Sequence, residues 1–246
     1  MKPRKTTYLA HRWIGLVIAL QLLAWSTGGL IFSVLDIRGV RGETDALMRD
    51  RVGLEPASLE GLPAGVREAV AALGPGAVGG VELIDRGVGP HWEVRGLSGE
   101  TLARLHTGGE PVGPVTGEEA STIAAADFLP GAPVALVQYI DADPPLEYRG
   151  GPLPAWRVDL DHAKQPHVYI DARTGRIVAR RNQSWRIFDF FWMLHTMDYT
   201  GRDNFNHPLL TVASLLAVAT AGTGLSLWGW RMVSKARRRR KHAPRR

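Results

Sequence analysis

The sequence predicts an α+β membrane protein in which two transmembrane helices flank a periplasmic region of two tandem helix-plus-antiparallel-sheet units. Three observations predict it. Two uncharged apolar runs, Trp13 to Leu35 and Pro208 to Trp230, are each 23 residues long, enough for a helix to cross a hydrocarbon core of about 30 Å. The flanks of these runs carry only basic charge. The 171 residues between them alternate between helical and strand-like patterning in an order that occurs twice.

Charge sets the expected orientation. Lys2, Arg4, Lys5 and Arg12 precede the first run, nine basic residues from Arg231 to Arg246 follow the second, and neither flank contains an acid. By the positive-inside rule both termini are expected in the cytoplasm, with the chain in a bacterial inner membrane. The intervening segment holds all 24 acids and only 17 of the 30 basic residues, a formal charge of −7. The high overall pI therefore belongs to the tails. Arg237 to Lys241, directly after a span, reads as a topology signal in contact with anionic lipid rather than a nucleic-acid patch. The first run exceeds a signal-peptide core, and Ser33-Val34-Leu35-Asp36 offers no small-x-small cleavage site, so an uncleaved anchor is expected. The chain has no cysteine, which excludes disulfides, thiolate metal sites, iron–sulfur clusters and c-type haem attachment.

These signals divide the chain into a cytoplasmic tail (1–12), a first span (13–35), a connecting arm (36–62), a first unit (63–115), a second unit (116–183), an interfacial aromatic helix with its loop (184–206), a second span (207–230) and a basic tail (231–246). In the first unit Ala64 to Leu73 has helical spacing, and Val78 to Ile84, His91 to Leu97 and Thr101 to His106 read as strands, with Gly108-Gly109 at a turn. In the second, Thr116 is the expected N-cap of a helix to about Phe128, with Glu119 three residues on. Strands are expected at Val134 to Ile140, Ala155 to Asp161 and His167 to Asp171, and Thr174-Gly175 turns into Arg176 to Arg180. Trp92-Glu93-Val94 answers Trp156-Arg157-Val158, so both tryptophans are expected in equivalent buried positions. Asp143 to Pro154, rich in proline and glycine, reads as a long hairpin loop with freedom to move.

Trp156-Arg157-Val158, Val168-Tyr169-Ile170-Asp171 and Thr174-Gly175-Arg176-Ile177-Val178 resemble the signature of the PepSY domain, a small helix-plus-sheet module. The flanking segments resemble the PepSY-associated transmembrane family: His11-Arg12-Trp13-Ile14-Gly15-Leu16 at the first span, Leu194-His195-Thr196 before the second, and Thr223-Gly224-Leu225-Ser226-Leu227-Trp228 at its end. The resemblance implies two kinds of role. Larger members, including siderophore reductases, hold b-type haem through membrane histidines. PepSY modules elsewhere restrain peptidases or assist envelope assembly.

Trp185, Phe188, Trp192 and His195 are spaced three, four and three residues apart and fall on one helical face. A helix this short and apolar is expected at the outer interface, where Trp residues favour headgroup depth. An ionisable group on such a face is a functional candidate, and neutral imidazole is a good axial ligand for haem iron. His195, His207 and His11 are the candidate ligands of haem b, Trp192 lies beside the ring, and Tyr199 and Arg202 are candidates for its propionates. The plainer alternatives are an aromatic belt with a passenger histidine, a helix-start residue at His207, and a capping loop at 198–206. His11 is expected across the membrane from His207, about 30 Å away, so only His195 and His207 can pair within one chain. Two spans form a thin scaffold for a porphyrin, which favours a homodimer or a multi-span partner. Small residues at Ser26 to Gly29 and Thr220 to Gly224 suit close helix packing, and Gln21 is expected to face a helix. His91, His106, His162 and His167 lack metal-ligand spacing and read as surface or strand histidines.

The first functional expectation is an electron-transfer or metalloreductase-associated subunit delivering electrons to a ferric chelate or a periplasmic redox protein. The alternative is a non-redox, membrane-tethered interaction module.

Overall fold

The structure, a computed structural model, describes residues 3–47, 61–74 and 76–241. The chain forms two compact units: a helical unit of Met1–Val34 with Ile187–Arg246, and a sheet unit of Leu35–Arg186. The helical unit contains α1 (Pro3–Val34) and α6 (Pro208–Lys241). Both are long and apolar enough to cross a membrane, and most of their apolar surface is turned outward, as Leu16, Leu20, Leu23, Leu215 and Val218 show.

In the sheet unit a short helix α2 (Ile37–Val40) is capped by the Asp36 carboxylate, which accepts from the Arg38 N–H. Next come α3 (Ala64–Leu73) and strands β1 (Val78–Asp85), β2 (Pro90–Gly96) and β3 (Thr101–His106), paired antiparallel in that order. The second repeat follows with α4 (Gly117–Asp127) and β4 (Val134–Ile140), β5 (Ala155–Leu160), β6 (His167–Asp171) and β7 (Ile177–Arg181), again antiparallel in order. Thr116 and Glu119 form a reciprocal capping box at the start of α4, which satisfies two backbone donors that no helix can satisfy internally.

The repeats share a core pattern but differ at one edge. In the first, Val66 of α3 packs on Val94 and Leu105; in the second, Ala120, Ile123 and Ala124 of α4 pack on Val158, Leu160, Val168 and Ile170. The turn at Gly175, with φ of +69°, leads into a full strand β7, whereas the chain after the Gly109 turn makes only a bridge from Pro111 to Leu105. Trp92 and Trp156 both lie on the helix-facing side of their sheets, but they are half-buried rather than buried. Each has an indole N–H that must reach a partner. Trp156 donates to the Val115 carbonyl at 2.7 Å, and Trp92 donates to the Thr107 carbonyl at 3.4 Å at a more open position.

The Asp143 to Pro154 loop is packed, contrary to the expected freedom. A 3-10 turn at Leu146–Tyr148 places the Tyr148 ring parallel to Tyr169, with centroids 4.4 Å apart and planes at 6°. Both rings are buried, and the Tyr148 hydroxyl donates to the Pro152 carbonyl at 2.7 Å. Aromatic burial offsets the ordering entropy that proline and glycine content alone leaves uncompensated.

The other face of β2 buries charge. Glu93 is fully buried, and Arg86, Arg95 and His91 surround its carboxylate, with contacts of 2.5 Å from Arg86 and 3.2 Å from Arg95. Burial by itself raises the Glu93 pKa. The hydrogen bond from His91 and the charges of Arg86 and Arg95 outweigh it and hold the group at about 2. Because the folded value lies below the ordinary 4.5, this stabilisation is present above about pH 4.5 and is lost as pH falls toward 2. Glu93→Gln is expected to cost about 3–5 kcal/mol at pH 7, because it strands two guanidinium groups beside a neutral amide. Thermal melts of the full chain in detergent at pH 7 and pH 3 test this: the variant's deficit should shrink at the lower pH, and an equal deficit at both rules out the ionic origin.

Candidate functional site

The candidate site grows from α5 (Gln183–Thr196), whose first residues belong to the sheet unit and whose remainder belongs to the helical unit. The Asn182 side chain caps its start, accepting from the Trp185 N–H at 2.8 Å. Trp185 departs from the expected common aromatic face: its ring lies under the Arg181 guanidinium at 4.4 Å, with Arg149 at 5.7 Å. Phe188, Trp192 and His195 continue the face against Phe32 of α1, at ring separations of 4.6, 6.2 and 6.2 Å. The His195 ring stacks beside Trp192 at 16° and lies 6.0 Å from Trp25. His195 is exposed, and among the described residues its ring nitrogens have no hydrogen bond.

The last carbonyls of α5 lack intrahelical partners, as at any helix end. Two side chains of α1 and the residue just before α6 supply partners for them. Gln21 Nε2 donates to the Leu194 carbonyl at 3.0 Å, Trp25 Nε1 to the His195 carbonyl at 3.0 Å, and His207 Nε2 to the Thr196 carbonyl at 2.9 Å. Gln21 thus faces a helix, as expected. The Nε2 of His207 is engaged as a helix cap, which leaves only Nδ1 as an acceptor.

Arg202 lies in the left-handed region, with φ of +64°, and its guanidinium pairs with the buried carboxylate of Asp189. Its carbonyl accepts from Trp192 Nε1 at 2.9 Å. The loop from 198 to 206 turns around Asp198, whose carboxylate accepts from the N–H groups of Thr200, Gly201 and Asn204. The Asn204 bond is foremost in holding the Asp198 carboxyl well below its usual range. The Tyr199 ring is exposed.

His11 sits in a notch on α6. Its Nδ1 donates to the Thr220 carbonyl at 3.1 Å and lies 3.0 Å from Thr223 Oγ1, and a Cβ placed on Gly224 would come within 3.1 Å of its ring. The Thr220–Thr223 level is 13 to 16 residues along α6 from His207, about 20–24 Å at 1.5 Å per residue, which is closer than expected but beyond any shared ligand. His195 and His207 are near neighbours in the fold without forming a matched pair of free imidazoles. Among the described residues no group of three or more His, Asp or Glu side chains is arranged to hold a metal ion.

Sequence reasoning missed a second polar cluster, in the sheet unit. Glu147 of the 3-10 turn accepts from His167 Nδ1, from the Tyr169 hydroxyl at 2.6 Å and from Arg186 Nε at 3.1 Å. Arg157 pairs with Asp159 at 2.7 Å and reaches the same histidine. Burial acts to raise the Glu147 pKa, but the His167 and Tyr169 hydrogen bonds prevail and hold it at about 2. His91 and His167 are on strands as expected, yet His91 is buried and His167 is enclosed by charge. No sequence spacing marks this cluster, since its members come from a loop, two strands and a helix start.

Gly224→Val is expected to displace the His11 ring and weaken α1–α6 packing by about 1–3 kcal/mol, the usual range for overpacking. Comparing the thermal stability of this variant in detergent with that of Gly222→Val, where a Cβ meets open space, tests the notch. Equal stabilities argue against it.

No curated protein and no solved structure matches the chain. A family model described as PepSY-associated TM region matches residues 8–246, from just before the His11 motif to the end of the basic tail. With two membrane-length helices flanking two antiparallel sheets, the chain belongs to the PepSY-associated transmembrane family.

Proposed function

We propose that this membrane protein is a tethered interaction module, anchored by α1 and α6 in the bacterial inner membrane with both termini in the cytoplasm and presenting tandem PepSY units to the periplasm. The helix-cap role of His207 carries the reading. Its Nε2 serves the Thr196 carbonyl, so the one histidine pair that two spans could offer to a single iron is not preorganised. The basic flanks around an acid-rich middle support the orientation. Alkaline phosphatase fused after Arg180 should be active and the same enzyme fused after Arg246 inactive; the reverse pattern overturns the topology.

A second reading retains haem b, and two observations favour it. His195 stands against an aromatic wall with unbonded ring nitrogens, and His11 directs Nδ1 to a carbonyl, as haem-ligating histidines commonly do, leaving Nε2 available. These residues fit one axial bond each. They are too far apart to share an iron, so a homodimer or a multi-span partner would supply the second ligand. Electron transfer to a ferric chelate or a periplasmic redox protein belongs to this reading. It predicts a reduced-minus-oxidised haem spectrum for protein purified from haem-replete cells, lost in His195→Ala or His11→Ala and retained in His207→Ala. A wild-type protein without that spectrum leaves the tethered module as the function.

A further inference from the structure

The segment 36–47 precedes the first repeat in sequence but docks on the second. Ala46 bridges Phe128, the Leu47 N–H donates to the Asp127 carbonyl at 2.8 Å, and the Leu129 N–H donates back to the Asp45 carbonyl at 2.9 Å. Lys164 Nζ pairs with the Asp45 carboxylate at 2.7 Å. The segment passes Arg180 at Gly42, where φ is +70° and an added Cβ would lie 3.0 Å from the Arg180 Cβ.

Asn182 fastens the other end. Its Nδ2 donates to the Gly39 carbonyl at 2.8 Å, while its Oδ1 accepts from the Trp185 N–H at 2.8 Å and caps α5. The side chain is buried with both ends of its amide engaged. One residue thus joins the chain where it enters the sheet unit to the chain at the first turn of α5.

This joint is mainly polar. Val40 and Ala46 are buried, but neither belongs to a core cluster of the repeats, and Ile37 and Leu47 are exposed. The Lys164 side chain is half-exposed. Beside the segment runs a cleft lined by Gly42, Asp45, Asp127, Phe128, Lys164 and Arg180. A segment with few buried apolar contacts belongs to the low-stability end of a fold and opens before the core does.

We infer that 36–47 is a strap that opens as one piece while both sheets stay folded, with Asn182 as its clip. Closed, it ties the entering segment to the first turn of α5. Open, it releases that turn from the entering segment and gives water access to the Asp127 carboxylate, which is buried against Arg180 when the strap is in place. This control over the start of α5 is independent of what the chain binds.

The chain's lack of cysteine makes thiol labelling a clean test. Ala46 is buried within the strap, Thr44 is exposed on it, and Ala155 lies in the core of the second repeat. In the full chain in detergent, Ala46→Cys should react with a maleimide more slowly than Thr44→Cys and faster than Ala155→Cys. Asn182→Asp retains the cap of α5 but has no donor for Gly39; it should speed the Ala46→Cys reaction about tenfold, the factor that one lost hydrogen bond supplies, and leave Ala155→Cys unchanged. Lys164→Met, which removes the ion pair with Asp45 and leaves the cap intact, should act in the same direction. Reaction of Ala46→Cys as fast as Thr44→Cys, as slow as Ala155→Cys, or unmoved by Asn182→Asp overturns the strap.

Discussion

The end of α5 is the constraint around which the helical unit is built. A helix that stops within an apolar bundle leaves carbonyls without intrahelical partners, and each one kept from water is costly if unpaired. Gln21 and Trp25 from α1 and His207, just before α6, close three successive carbonyls. This accounts for a lone amide in the first span and for a histidine immediately before Pro208. The same donors fix α5 against α1 closely enough for Phe32 to meet Phe188, Trp192 and His195 together. Asp189 and Arg202 perform the corresponding task for the loop, pairing a buried carboxylate with a guanidinium instead of leaving either alone.

The sheet unit uses the opposite strategy and gathers its charges. Glu93 and Glu147 each lie in a nest of arginine and histidine, one in each repeat, and both stay ionised well into acid. The positions are not equivalent: Glu93 is on a central strand and Glu147 on the loop between β4 and β5. The repeats therefore share their apolar framework, the tryptophan strand and helix packing, while each arranges its polar groups independently. Loss of the fourth strand in the first repeat follows the same division, because Pro111 cannot donate the hydrogen bond that a full ladder requires.

Much of this was legible in the sequence because it rests on local or periodic signals. The spans follow from apolar length, α4 from the Thr116–Glu119 capping box, and the strands from alternation between turn residues. The helix face of Phe188, Trp192 and His195 could be read from spacing, but where Trp185 would turn could not, since Arg149 and Arg181 come from elsewhere in the chain. His207 illustrates the main difficulty. A histidine at the mouth of a span has the same sequence signature whether it binds a metal or caps a carbonyl, and only the position of the Thr196 oxygen distinguishes the two. The burial of Tyr148 and Tyr169 was hidden for a similar reason: 20 residues, a loop and the strand β5 among them, separate two rings that stack.

The notch holding His11 also governs how the spans respond to the bilayer. With its ring hydrogen-bonded at Thr220 and seated over Gly224, α1 cannot slide along α6 in steps of a residue without breaking that contact. The two helices therefore share one insertion depth, set jointly by the basic residues before the first and after the second. In a thinner or thicker bilayer the pair would meet the mismatch by tilting as one body, since neither helix is free to shift its own register.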